Sequence, residues 1–203
     1  MRTNGPWKII ESHEKYKNNW MKVCEDKVIR PDGKDGIVSL IEMEDGISVL
    51  SLDNDGYVYL ADQFRYSMGK DGIETVSGAV NNNEKPLDAA KRKLREELGI
   101  EAEEWIDLGL VNPFNIVIKA PHTIFLARKL KFGKDHQKET KNIKLVKVKL
   151  EEAVKMVMGS TVTNGPSCVL ILKTNEYLKS PTPPRITSPE IILSKKRADK
   201  LSK

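Results

Sequence analysis

The chain has 203 residues, of which 39% are hydrophobic and 31% charged, and this balance allows a sizeable globular core. No stretch approaches the roughly 18 consecutive apolar residues that a membrane helix requires, and the first residues lack the apolar run of a secretory signal. The two cysteines have neither metal-ligand nor disulfide-framework spacing, so a reducing cytoplasm is expected. The net charge of +5 is dispersed along most of the chain, and function has to be inferred from local motifs.

Short apolar runs bounded by turn residues predict β-strands in the first part of the chain. The predicted strands are residues 23–29, 36–41, 47–52 and 57–62. The tetrapeptide Asp53-Asn54-Asp55-Gly56 separates the last two, and this turn chemistry predicts a β-hairpin.

The hydrophobic period changes to that of a helix over residues 84–100. An apolar stripe runs along this segment, with a proline where helices begin and Gly99 where they end. The stripe consists of Leu87, Ala90, Leu94 and Leu98. Strands are then predicted at 105–110, 123–130 and 145–148, and a second helix at 150–158. Strands mixed with two helices indicate an α/β or α+β sandwich.

Chemistry-bearing residues concentrate in one segment, Gly78 to Ile100, which reads GAVNNNEKPLDAAKRKLREELGI. A glycine-containing loop runs into a helix that carries adjacent acids. Carboxylates grouped on one helix edge are suited to magnesium, a hard cation that prefers oxygen ligands and substrate phosphates. The apolar stripe would pack the same helix against a sheet, and the acids would face a cleft.

This segment resembles the Nudix box, G-x5-E-x7-R-E-U-x-E-E-x-G-U, where U is a bulky aliphatic residue. Eight of its nine specified positions match at the correct spacing, namely Gly78, Glu84, Arg92, Leu94, Glu96, Glu97, Gly99 and Ile100. A helix that is acidic near its end by chance would not account for the matches at Gly78 and Glu84. The resemblance implies a Nudix α/β/α sandwich and a bound Mg2+ or Mn2+ ion. Its ligands would be Glu84, Glu96, Glu97 and the backbone carbonyl of Ser77.

The ninth position departs from the pattern. Lys93 stands where the family has a glutamate that binds metal, and at about 100° per residue it lies angularly between Glu96 and Glu97. A lysine supplies no oxygen ligand and brings a cation that can pair with either carboxylate. We therefore expect weakened metal binding, and activity does not follow automatically from the fold.

The flanking sequence resembles the ADP-ribose pyrophosphatase group of Nudix proteins. The resemblance is carried by Gly5-Pro6-Trp7-Lys8, by residues 28–34, 62–66 and 73–78, and by Pro113, 14 residues beyond Gly99. It implies that Arg65 contacts the pyrophosphate, that Glu74 hydrogen-bonds the ribose side and that Trp7 stacks on adenine. Pro113 would mark the substrate-binding loop. The alternative for Trp7 and Trp20 is core packing, and for Arg65 it is a surface charge.

The resemblance also implies an architecture. Residues 1–45 would form an N-terminal antiparallel β-sheet extension that swaps strands in a homodimer. Residues 46–178 would form the Nudix domain, and 179–203 a polar, basic tail.

A second departure concerns the general base. In this group a glutamate on a late loop helps to activate the attacking water. A loose alignment places Lys141 at that position, with Glu139 two residues earlier as the candidate catalytic residue beside Glu96 and Glu97. Two acid-to-lysine changes both point to reduced or altered hydrolysis.

Three functions stay open at this stage. The first is metal-dependent cleavage of ADP-ribose or a similar nucleoside diphosphate sugar to a nucleoside monophosphate and a sugar phosphate. The second is a catalytically weakened or silent Nudix protein that binds an ADP-ribose-like ligand. The third is an RNA-directed activity, suggested by the basic tail; the tail lacks the interleaved aromatic residues that stack on bases.

Overall fold

A computed structural model describes residues 2–133 and 143–180 of the protein. In chain order the elements are β1 (Arg2–Asn4), β2 (Trp7–Lys17), β3 (Met21–Ile29), β4 (Asp35–Met43), β5 (Gly46–Leu52), β6 (Tyr57–Arg65), β7 (Lys70–Glu74), β8 (Val76–Ala79), α1 (Pro86–Leu98), β9 (Ile100–Val111), β10 (Ile118–Lys119), β11 (His122–Phe132), β12 (Lys144–Lys149), α2 (Leu150–Met158) and α3 (Gly165–Lys179). The mixed α and β fold class predicted from the sequence is confirmed. Glu139, Lys141 and all but the start of the predicted tail lie outside the described residues.

The predicted strands and both predicted helices are present, and a third helix was missed. Helix α3 carries the run Val169-Leu170-Ile171-Leu172, which has no single apolar stripe and reads equally well as a buried strand. Its available signals were Asn164, whose side chain caps the helix by accepting from Ser167 N, and a proline in the first turn.

The larger of the two sheets has the strand order β12-β6-β5-β11-β9, with β7 paired to β6 and β8 paired to β5. All seven residues of β5 are buried, which requires cover on both faces of the sheet. Alternate side chains supply it: Ile47 and Val49 pack with Leu94 of α1, whereas Leu50 and Leu52 pack with residues of α2 and α3. The result is a helix–sheet–helix sandwich.

Helix α1 is held to this sheet by small and branched apolar side chains. Ala89, Ala90, Leu94 and Leu98 are all buried. Burying a leucine side chain stabilises a fold by roughly 1.5–3 kcal/mol, so this face anchors the helix strongly. The helix ends at Gly99, whose φ of 62° is left-handed and favours glycine.

The N-terminal segment forms a separate antiparallel sheet, β1-β2-β3-β4, extended by the short parallel strand β10. It is far more exposed than the larger sheet: in β2 only Ile9 is buried, and Ile10 and Ile37 are 46% and 67% exposed. This is the predicted N-terminal β extension. Within the described part of the chain, no helix is long and apolar enough to cross a membrane.

Candidate functional site

Strands β6, β7 and β8 and helix α1 meet around the segment that carries the motif. Strand β7 pairs with β6, and this register places Glu74 opposite Ala61. Arg65 ends the same strand β6, four residues after Ala61. Strand β8 pairs with β5, so that Gly78 lies opposite Ile47, and α1 packs against β8. The sheet therefore brings Arg65, Glu74 and Ser77 to the same region as the acidic edge of α1.

Arg65 and Glu74 form an ion pair with each other. The guanidinium of Arg65 donates through Nε and a terminal nitrogen to Glu74 Oε1, and Gln63 Nε2 donates to the same oxygen at 2.8 Å. The Glu74 side chain is 3% exposed, and a buried carboxylate needs such partners. The Arg65 side chain is 41% exposed, so it is anchored at one side and accessible at the other. Gln63 was not identified from the sequence.

Glu84 is clamped by Arg92. The guanidinium donates to both carboxylate oxygens, at 2.9 and 2.7 Å, and Asn81 N donates to Oε2 at 3.0 Å. The hydrogen bonds from Arg92 are the main reason that the pKa of Glu84 is lowered to about 2. Arg92 also donates to Ala79 O at 3.3 Å, so the pair ties the loop after β8 to the helix.

The Lys93 side chain lies directly against Gly78. A Cβ atom built on that glycine would stand 2.6 Å from Lys93 Cε and 2.8 Å from Cδ and Cγ, closer than real Cβ contacts occur. Any larger residue at position 78 would displace the lysine stem. The glycine of the motif therefore makes room for Lys93 beside the strand.

The Lys93 ammonium lies among the acids of the helix. Its Nζ is 3.2 Å from Glu96 Oε2, and Arg92 is 3.5 Å from the same oxygen. The positive charge of Lys93 also contributes to lowering the pKa of Glu84 and opposes the rise of the pKa of Glu97. Of the two carboxylates with which the sequence allowed a pair, the structure shows the contact with Glu96.

Glu97 is half-buried on the same edge of α1. Burial raises the pKa of its carboxyl group to about 7, and the positive charges of Lys93 and Arg65 act in the opposite direction. The negative charges of Glu74 and Glu96 add to the rise. Glu97 therefore interacts electrostatically with Lys93 and Glu96 on α1 and also with the Arg65–Glu74 pair. It connects the charged groups of the helix with those of the sheet.

The donor set fits one divalent cation better than a metal cluster. Among residues 2–133 and 143–180, no group of three or more acidic, histidine or cysteine side chains is placed to hold a metal. Magnesium, however, is commonly held by one or two carboxylates, with waters and substrate phosphates completing its shell. Glu96, Glu97 and the carbonyl of Ser77 are donors of that kind, whereas both oxygens of Glu84 accept from Arg92.

The hydroxyl groups of Thr75 and Ser167 form a buried network next to the site. This network was not predicted from the sequence. Ser167 Oγ accepts from Thr75 N at 3.1 Å, lies 3.0 Å from Thr75 Oγ1, and donates to Asn164 Oδ1 at 2.8 Å. Thr75 separates β7 from β8, so it stands between Glu74 and the Ser77 carbonyl. The N-terminus of α3 therefore fixes the strand break from which two predicted site residues project.

The remaining predicted residues lie elsewhere on the described surface. Trp7 begins β2 and is half-buried, and Pro113 is exposed in the turn after β9. Trp20 is 68% exposed, so core packing is wrong for that residue.

Two protein families match parts of this chain. The NUDIX domain family matches residues 43–156, more than half of the chain. The chain belongs to the Nudix family. The preceding residues 7–37 match the nucleoside diphosphate sugar hydrolase N-terminal domain, which corresponds to β2, β3 and the start of β4.

Individual relatives of this Nudix protein share its length. An ADP-ribose pyrophosphatase of Bacillus subtilis (strain 168) is 22% identical over 167 residues, covering 81% of this chain and 90% of the relative. A methanol dehydrogenase activator of Bacillus methanolicus is 22% identical over 178 residues, covering 85% and 95%. A solved structure described as an ADP compounds hydrolase superposes with a TM-score of 0.75 over 87% of this chain and 96% of its own, at 15% identity, which shows a shared fold.

Proposed function

We propose that this Nudix protein cleaves the pyrophosphate of a nucleoside diphosphate sugar such as ADP-ribose, releasing AMP and a sugar phosphate. The observation that carries the proposal is the position of Glu97, a half-buried acid subject to the charges of both Lys93 and Arg65. A half-buried acid that interacts with two cations is suited to a site where phosphate oxygens and an attacking water meet. The match to the nucleoside diphosphate sugar hydrolase N-terminal domain supports the substrate class.

Substrate recognition is assigned to residues on both sheets. Arg65 binds the pyrophosphate with the exposed side of its guanidinium, because arginine presents several donors in a fork that matches phosphate. Glu74 aligns that guanidinium and hydrogen-bonds the ribose side. Trp7 stacks on adenine, and Pro113 shapes the loop beside the sugar.

A divalent ion, Mg2+ or Mn2+, would be held by Glu97, Glu96 and the Ser77 carbonyl. When bound, it would supply charge neutralisation to the pyrophosphate. Glu84 acts chiefly through Arg92 by fixing the loop that precedes α1. Glu97 orients the attacking water, with Glu139 as a further acid on the late loop.

The direct test is AMP release from ADP-ribose with magnesium, comparing wild type with Glu97→Gln and Glu101→Gln. Glu97→Gln is expected to lose about 10²-fold or more in turnover, because it removes the acid that positions water. Glu101→Gln is the matched control, since Glu101 lies just beyond the same helix with a 60% exposed side chain. Equal turnover in wild type and Glu97→Gln would refute the assignment.

A catalytically silent binding protein is the second candidate, and the Lys93–Glu96 contact favours it. The lysine engages one of the two carboxylates left for the cation. Calorimetric binding of ADP-ribose by a wild type that releases no AMP, with activity gained in Lys93→Glu, would establish this candidate in place of the first.

We also propose a homodimer formed through the N-terminal extension, residues 1–45. The support is the exposed apolar side chains of this sheet, among them Ile10 and Ile37, together with Trp20 in the bend between β2 and β3. Light scattering with size-exclusion chromatography should give twice the chain mass for wild type. Ile37→Glu should shift it toward the monomer, and a monomeric wild type would contradict the proposal.

A further inference from the structure

Lys93 is positioned as a component of the site rather than as a solvated surface lysine. Its aliphatic stem lies against the Gly78 backbone where no Cβ would fit, and its side chain is only 22% exposed. A lysine commonly lays its stem along a protein surface and leaves its ammonium in water. Here the contact with β8 restrains the stem and directs the ammonium to the edge of α1 that carries Glu96.

The ammonium interacts electrostatically with three acids. It contacts Glu96 at 3.2 Å, and its charge acts on both Glu84 and Glu97. These are the three acids of the Nudix pattern that this chain retains. A divalent ion held by the same acids would have to share this region with Lys93.

The residue at position 93 differs from the family pattern by the charge of one divalent ion. Exchanging a glutamate for a lysine changes the formal charge at position 93 from minus one to plus one, a change of two units. One Mg2+ ion also carries two units. A site rich in carboxylates repels a pyrophosphate unless cations compensate, and here the compensation is built into the chain.

We propose that the Lys93 ammonium is a resident cation that replaces one divalent metal ion at this site and neutralises the pyrophosphate of the ligand directly. The inference rests on the proposed function only for the identity of the ligand as a pyrophosphate ester. An ammonium has three donors. In the ligand-free protein one faces Glu96, and on binding the phosphate oxygens receive hydrogen bonds from the same group.

The first experiment measures metal affinity without any substrate. Mn2+ binding is followed by electron paramagnetic resonance for wild type, Lys93→Glu, Lys93→Met and Lys91→Glu. Lys91 is the matched control, because it is exposed on the same helix and its change carries the same charge. Lys93→Glu should bind Mn2+ about ten-fold or more tightly than wild type, Lys93→Met should lie between them, and Lys91→Glu should resemble wild type.

The second experiment measures ligand affinity without metal. Calorimetry is run in EDTA and in Mg2+ with the non-hydrolysable α,β-methylene analogue of ADP-ribose, because the proposed activity would consume ADP-ribose itself in Mg2+. Wild type should bind with similar affinity in both buffers. Lys93→Met, which keeps most of the stem but removes the charge, should lose about ten-fold to hundred-fold in EDTA. Lys93→Glu should depend on added Mg2+.

The outcomes separate this inference from the proposed function. Wild type that binds Mn2+ as tightly as Lys93→Glu and Lys93→Met would overturn the inference, as would binding of the analogue by wild type that EDTA abolishes. Absence of analogue binding in both buffers would count against the proposed function, while the Mn2+ series would still decide the role of Lys93. Thermal unfolding of each variant identifies any that does not fold, and Lys93→Met then replaces Lys93→Glu.

Discussion

The two sheets of this protein contrast sharply in burial. Strand β5 of the larger sheet is buried at all seven positions, whereas β2 of the N-terminal sheet is buried at one. The larger sheet is covered on both faces by helices of its own chain. One of these helices, α1, carries Glu96 and Glu97 of the candidate site. The N-terminal sheet leaves apolar side chains such as Ile10 and Ile37 exposed. Stability and chemistry are thus concentrated in the larger sheet.

The largest expected effect is the loss of stability on truncating the core face of α1. Leu94→Ala removes a side chain with no exposed surface and should lower the free energy of unfolding by about 2–5 kcal/mol. Ile10→Ala in the N-terminal sheet is the counterpart, since Ile10 is 46% exposed and should lose much less. Urea unfolding of both variants measures the difference. Similar losses of unfolding free energy in the two variants would show that Ile10 is packed as tightly as Leu94. A partner chain that covers the N-terminal sheet would produce this result.

Glu97 of the candidate site should lower the free energy of unfolding at neutral pH. The pKa of Glu97 is raised from 4.5 to about 7 in the fold, so the folded state binds a proton that the unfolded state has released. The corresponding stability is present below about pH 4.5 and is lost as pH rises through about 7.

Glu97→Gln removes this dependence. In EDTA the variant should be more stable than wild type above about pH 8, by on the order of 1–3 kcal/mol, and should approach wild type near about pH 4.5. Urea unfolding at both pH values measures this. A constant difference across the range would contradict the raised pKa.

The hydroxyl network behind the site should contribute a smaller, local stabilisation. Ser167→Ala leaves the buried Thr75 N–H without its acceptor and should cost about 1–3 kcal/mol. Thr174→Val is the control: Thr174 Oγ1 is equally buried, and in the described part of the structure it has no hydrogen-bond partner, so its replacement should be close to neutral. If Ser167→Ala also weakens ADP-ribose binding, the network positions Glu74 as well as stabilising the fold.

Local chemistry predicted a large share of this architecture. The turn at Asp53–Gly56 and the apolar stripe through Leu94 are signals within a few residues, and the hairpin and α1 were both recovered from them. Strands β2 and β7 and helix α3 were not, because β2 and β7 are rich in polar residues and α3 has apolar residues on most sides. The side of α3 that packs on the sheet is defined only in the assembled fold.

Residue type and spacing were enough to identify the family motif and the lysine at position 93, and the family resemblance suggested roles for Arg65 and Glu97. The folded structure was needed to show that Arg65 pairs with Glu74, that Lys93 lies against Gly78 and that its ammonium contacts Glu96. Each of these contacts joins a strand or loop to another element, or selects one rotamer among several. Such choices follow from packing between distant segments, which spacing along the chain does not encode.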